Sequence, residues 1–158
     1  MTVPAFLFGG DGKDTLDASG SSANNVLEGG AGNDILKSGR GRNLLVGGTG
    51  ADVLQGSAGD DILIGGTTDY DSNLAALNAV MAEWGRTDAD YQTRVNHLNG
   101  TLGGGQSGGL LLTGNTVHDD AASDTLTGGA GMDWFFALLS GPNKDVIKDW
   151  AGEVVTGL

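Results

Sequence analysis

The chain has 158 residues, enough for one domain with a sizeable core. Its 30 glycines come with only 2 prolines, which excludes collagen, and its 39% apolar content excludes disorder. A net charge of −12 argues against a nucleic-acid partner and for a cation, and the absence of cysteine removes disulfides, zinc–thiolate sites and cysteine nucleophiles.

The opening segment, Met1 to Phe8, is too short for a signal peptide and lacks a basic n-region. Repeats follow at once. Gly9-Gly10-Asp11-Gly12-Lys13-Asp14-Thr15-Leu16-Asp17 is the first unit, and clear copies run from Gly29 to Lys37 and from Gly47 to Gln55. Weaker units lie at Gly20–Glu28, Ser38–Val46 and Gly56–Ile64. Leu27, Leu36, Leu45, Leu54 and Leu63 fall nine residues apart without a slip, and only the step from Leu16 to Leu27 is longer, by two. The first six positions of a unit are rich in Gly, Asp and Asn, which suits turns needing positive φ. The last three are apolar-centred and predict a short strand. No apolar run approaches the ~18 residues of a membrane span.

This pattern resembles G-G-x-G-x-D-x-U-x, the calcium-binding nonapeptide of RTX proteins. The resemblance covers Gly9 to Gly66 and returns from Asp119 to Phe136. It implies a mainly β fold, a right-handed parallel β-roll or β-solenoid, to which the residues past Gly66 add a helical insert and a C-terminal capping segment. Two units make one coil, and the position-eight leucines stack inward. It also implies Ca2+ between turns of successive coils, held by the position-six Asp of both turns and by carbonyls at positions one to four. On one side these are Asp14, Asp34 and Asp52, with carbonyls of Gly9, Asp11, Gly30 and Gly32 for one ion and of Gly29, Ala31, Gly48 and Gly50 for the next. The other side carries Asn25, Asn43 and Asp61. Asparagine brings an oxygen without charge, so those sites are expected to be weak or empty. Ala23 stands there where the pattern wants glycine, and this side is expected to be held by Asn hydrogen bonds with Arg40 and Arg42 either supplying positive charge or lying as plain solvated surface. Past Gly66, Tyr70 stands where an Asp is expected, and Asp69 and Asp71 are candidate substitutes.

From Asp71 the period turns helical. Leu74, Leu77, Val80, Met81 and Trp84 predict one helix, with Asp71 or Ser72 as N-cap and Gly85 as its stop. Tyr91, Val95 and Leu98 predict a second over Asp88–Leu98, capped by Thr87. The expected role of this pair is to cover the open last coil. Thr101–Gly109 reads as a flexible loop and Leu110–Leu112 as a strand. The repeat then resumes with Asp124 and Asp133 at position six, although Asp119-Asp120 replaces a glycine pair. Asp145-Val146-Ile147-Lys148-Asp149-Trp150 resembles the segment that closes RTX rolls, with Trp134, Phe135, Phe136 and Trp150 as an aromatic plug. Residues 1–66 thus form the roll, 67–109 the helical hairpin and Gly-rich loop, and 110–158 the residual repeats and cap. The position-seven residues Val26, Ile35, Leu44, Val53 and Ile62 would point outward, as a docking stripe or a plain strand surface.

No catalytic constellation is present: His97 and His118 sit in unrelated contexts, and there is no H-E-x-x-H or G-x-S-x-G. The expected function is calcium-linked folding after secretion, capping a larger extracellular or surface protein. Type I export is what the RTX resemblance implies. Alternatives are an adhesion module using the stripe or the insert, and the C-terminal fragment of a secreted hydrolase. The expected partners are calcium ions and the parent protein, with no nucleic acid and no membrane span.

Overall fold

A computed structural model describes residues 3–158; Met1 and Thr2, the start of the segment weighed above as a signal peptide, lie outside it. The chain winds between two parallel sheets. One holds β1 (Phe6–Asp11), β3 (Val26–Ala31), β5 (Leu44–Thr49), β7 (Ile62–Ile64), β11 (Trp134–Ala137) and β13 (Val154–Gly157), in that order. The other holds β2 (Thr15–Asp17), β4 (Ile35–Lys37), β6 (Val53–Gln55), β10 (Thr125–Thr127) and β12 (Val146–Lys148), also in chain order. All strand pairs within these two sheets are parallel, as the nonapeptide implies for a β-roll.

The register explains the leucine period. Leu7 pairs with Leu27, Leu27 with Leu45, and Leu45 with Leu63, while Leu16, Leu36 and Leu54 match in the facing sheet. These position-eight side chains fill the narrow interior with Leu126 and Phe135, and from Leu27 onward they are fully buried. Each such burial contributes about 1.5–3 kcal/mol. The N-terminal strand β1 extends this ladder one unit before the first recognisable nonapeptide.

The insert opens inside a turn, not at the end of the roll. Gly65 and Gly66 begin a turn after β7, the chain leaves through β8 (Thr67–Thr68) and returns through β9 (Val117–His118), and the two short strands pair antiparallel. Asp119 onward then completes the interrupted turn into β10. Partners that differ by 18 in number in regular coils differ by 72 across this excursion, yet the register holds.

Two helices lie in the insert: α1 (Leu74–Trp84) and α2 (Tyr91–Leu98). They pack on the outer face of the six-stranded sheet, not over the last coil as expected. Leu77, Val80, Trp84, Val95 and Leu98 meet Val26, Leu44, Ile62, Trp134 and Phe136 in a second core. The position-seven stripe is therefore split. Val26, Leu44 and Ile62 are buried beneath the helices, whereas Ile35 on the opposite sheet is exposed and Val53 half-buried. The aromatic plug is corrected likewise: Phe135 points into the roll, Trp134 and Phe136 point to the helices, and Trp150 is exposed. Leu110–Leu112 is a loop, held by Leu112 N–H donating to the Leu98 carbonyl and by the Tyr70 hydroxyl donating to Leu111.

Candidate metal centres

The turns stack into two columns, one on each side of the roll. In the first, the backbone N–H of each position-six residue donates to a carboxylate oxygen of the next coil. Asp14 donates to Asp34 Oδ1, Asp34 to Asp52 Oδ1 and Asp52 to Asp124 Oδ1, each at 2.7 Å, and Asp124 donates to Asp145 Oδ1 at 2.8 Å. One oxygen each of Asp34, Asp52, Asp124 and Asp145 is thus committed to holding the coils in register.

The second oxygen is where a metal fits. Asp14, Asp34 and Asp52 each bury an Oδ2 that has no hydrogen-bond partner. Leaving a carboxylate oxygen buried and unpaired is costly unless a charge meets it. Each Oδ2 faces the position-one glycine of its own turn. A Cβ at Gly9 would lie 2.9 Å from Asp14 Oδ2, at Gly29 2.6 Å from Asp34 Oδ2, and at Gly47 2.5 Å from Asp52 Oδ2. The same three points are crowded by the carbonyls of Gly29, Gly47 and Gly65, one coil further on. Only glycine leaves room there, and a carboxylate and a carbonyl oxygen converge on that room. Hard, oxygen-rich sites of this kind suit calcium. Among the described residues no group of three or more acidic or imidazole side chains is placed to hold an ion, so backbone carbonyls would supply much of any coordination shell.

Burial raises three acid side chains of this column, those of Asp52, Asp124 and Asp145. The carboxyl of Asp52 is pushed up to about 7 and that of Asp124 to about 8, chiefly by desolvation, with neighbouring carboxylates adding to it. Asp145 closes the column with both oxygens engaged, accepting from Asp124 N–H and Leu138 N–H.

A family model of the RTX calcium-binding nonapeptide repeat matches residues 6–21, 19–53, 38–69 and 113–139. The chain belongs to the RTX calcium-binding repeat family. RTX nonapeptide repeats bind Ca2+, the family is typically structural and not catalytic, and its proteins are typically secreted by bacteria. No curated protein and no solved structure gives a significant match to the chain.

The RTX roll places the candidate ligands as follows. Asp14, Asp34, Asp52 and Asp124 share the first column, with Gly9, Asp11, Gly29, Gly30, Ala31, Gly32, Gly48 and Gly50 in its turns. The Ala31 carbonyl already accepts from Gly12 N–H. Asp61 and Asp133 stand in the second column, linked by Asp61 N–H donating to Asp133 Oδ1 at 2.7 Å. Asp133 keeps a buried unpartnered Oδ2, whereas both oxygens of Asp61 accept hydrogen bonds, from Asn43, Ser38 and Ser57. Burial raises both carboxyls to about 7.

Asp69 and Asp71 lie off the columns, at the neck of the insert. Asp71 accepts from the Thr68 N–H and hydroxyl, and Asp69 pairs with His118 at 2.7 Å. Asp124 takes the register place for which these two were candidates. Sequence reasoning passed over the Gly65 carbonyl and Asp120, whose Oδ2 accepts from Gly50 N–H at 2.6 Å. The signal was the glycine pair Gly65-Gly66, whose turn is completed only after the insert.

Proposed function

We propose that the chain is a calcium-dependent folding module that completes its roll outside the cell and caps a larger secreted protein, without catalysis of its own. The observation that carries this is the row of buried, unpartnered Oδ2 atoms of Asp14, Asp34 and Asp52, each facing a carbonyl of the next coil across a glycine. Where calcium is scarce, these turns bring acid against acid. Where it is plentiful, one ion between Asp14 and Asp34, one between Asp34 and Asp52 and one between Asp52 and Asp124 would neutralise the column, and the gap between Asp61 and Asp133 offers a further place. A ligand that binds only the folded state at 100 times its Kd adds about 2.7 kcal/mol per site. Two or three such sites rival the ~5–15 kcal/mol stability of an ordinary domain. Type I export of a chain not yet fully folded agrees with this linkage.

The test is a calcium titration of chelator-treated protein followed by far-UV circular dichroism, with magnesium as control. A cooperative gain of β signal specific to calcium is expected. A chelated protein already at its full β signal, unmoved by calcium, would overturn the reading.

A further inference from the structure

The second turn column has different chemistry. Asn25 N–H donates to Asn43 Oδ1 at 2.9 Å and Asn43 N–H to Asp61 Oδ1 at 2.7 Å, so the register ladder is the same as in the first column. The other end of each side chain is reversed. Asn25 Nδ2 donates to the Ala23 carbonyl at 2.8 Å, and Asn43 Nδ2 donates to the carbonyls of Gly39 and Gly41 at 2.9 and 2.7 Å and to Asp61 Oδ1 at 2.8 Å. Three of the turn carbonyls that a cation could use, those of Ala23, Gly39 and Gly41, already accept from amide hydrogens. Both asparagines are fully buried, and neither leaves a buried polar atom unpartnered.

Positive charge also gathers here, in covalent form. The chain's arginines are Arg40, Arg42, Arg86 and Arg94, all in this column or in the insert. Arg40 is exposed. Arg42 reaches Asp60 at 3.4 Å and donates to the Arg86 carbonyl. Arg94, on α2 and only 1% exposed, donates to Asp60 Oδ2 at 2.5 Å and to the Trp84 carbonyl at 3.0 Å, and stacks 4.7 Å from the Trp84 ring. Trp84 Nε1–H in turn donates to the Asp60 carbonyl, and the Tyr91 hydroxyl to the Asp133 carbonyl. A buried guanidinium thus ties the insert to the turns of this column, while its neck leaves from and returns to a turn of the first.

We infer that the amides of Asn25 and Asn43 and the guanidinium of Arg94 close the second column without metal from Asn25 to Asp61, so that this column and the helical insert form a calcium-independent half of the molecule. This rests on the calcium reading above, and it limits what calcium has to order to the first column and the gap beside Asp133. A guanidinium supplies a fixed charge with directed donors, where an ion must be captured from solution.

Hydrogen–deuterium exchange of the whole chain in EDTA, calcium and magnesium tests it. The amides of Asn25 and Asn43 and of residues 74–98 should be protected in all three, and those of Asp14, Asp34 and Asp52 in calcium alone. Uniform loss of protection in EDTA overturns the inference while leaving calcium-linked folding intact. Uniform protection in EDTA overturns both. Asn43→Asp, which restores a carboxylate beside Asp61, should add one calcium ion per chain in titration calorimetry; an unchanged count refutes the amide as the barrier. Arg94→Gln should abolish EDTA protection over residues 74–98 with the calcium count unchanged, and retained protection would refute the role of the guanidinium.

Discussion

Asp34 holds both halves of the first column's logic in one side chain. Its Oδ1 accepts from Asp14 N–H, and its Oδ2 is buried, unpartnered and opposed to the Gly47 carbonyl. Asp34→Asn keeps the first function and inverts the second, since an amide there would donate to carbonyls as Asn43 does. The expected result is at least one calcium fewer per chain by titration calorimetry, and a loss of about 2.7 kcal/mol per lost site from calcium's stabilisation at 100 times Kd. Stability in EDTA should hold or rise, because a buried carboxylate oxygen without a partner has gone. An unaltered ion count would detach Asp34 from calcium. Gly32 answers to a different constraint. Its φ is +132° and a Cβ would strike the Gly12 carbonyl of the preceding coil. Gly32→Ala is expected to cost about 1–3 kcal/mol from backbone strain alone, read by urea unfolding in saturating calcium. A cost below a few tenths would mean that the coils are not in such close contact.

At the scale of elements, the helical insert carries the second core. Trp84 is fully buried between α1, α2 and the sheet, with Tyr91 edge-on at 5.9 Å and Trp134 at 6.2 Å. Trp84→Ala removes that contact and the bond to Asp60, and a truncation of this size costs about 3–5 kcal/mol. Urea unfolding in calcium should show it; a cost under about 1 kcal/mol would mean that the helices are not integral to the fold. The extent of α1 was legible because Leu74, Leu77, Val80, Met81 and Trp84 keep a helical period. Its cap was not. Asp71 is occupied by Thr68, and Ser72 sits at φ 59° with its N–H and hydroxyl on Glu28, so Asn73 caps instead, accepting from Ala76 N–H. For α2, Asp88 is drawn to Arg86, and Asp90 caps by accepting from Thr93 N–H, so the helix starts at Tyr91. The nine-residue leucine spacing made the inward ladder of both sheets readable. It carried nothing about the outer faces, because alternation gives the side of a strand and not what covers it. The split turn was hidden for a related reason: β8 and β9 have two residues each and are defined only by their pairing across the insert.

For the whole molecule, protons and calcium should compete for the same fold. In the folded chain without metal, burial raises the carboxyls of Asp52, Asp61 and Asp133 to about 7 and that of Asp124 to about 8. In the unfolded chain an aspartate titrates near ~3.9. Between those values the folded state holds more protons than the unfolded one, so the stability that these four carboxyls contribute is full below about pH 4 and is lost as pH rises through about 7 to 8. The overall charge of −12 acts in the same direction, since each ionisation adds to self-repulsion. Calcium reverses the sign at these carboxylates, because it binds only their ionised form, and acid then releases the ion. In EDTA the melting temperature should therefore fall from mildly acidic to mildly alkaline solution, whereas in saturating calcium it should rise over the same range. Asp124→Asn separates the local effect from the general one. It removes the most strongly raised carboxyl and should make the EDTA profile shallower over the whole range from about pH 4 to about pH 8. A melting temperature in EDTA that climbs with pH would mean that these carboxylates are ionised in the metal-free fold. The buried oxygens would then already have their counter-charge, and calcium would not be what completes the roll.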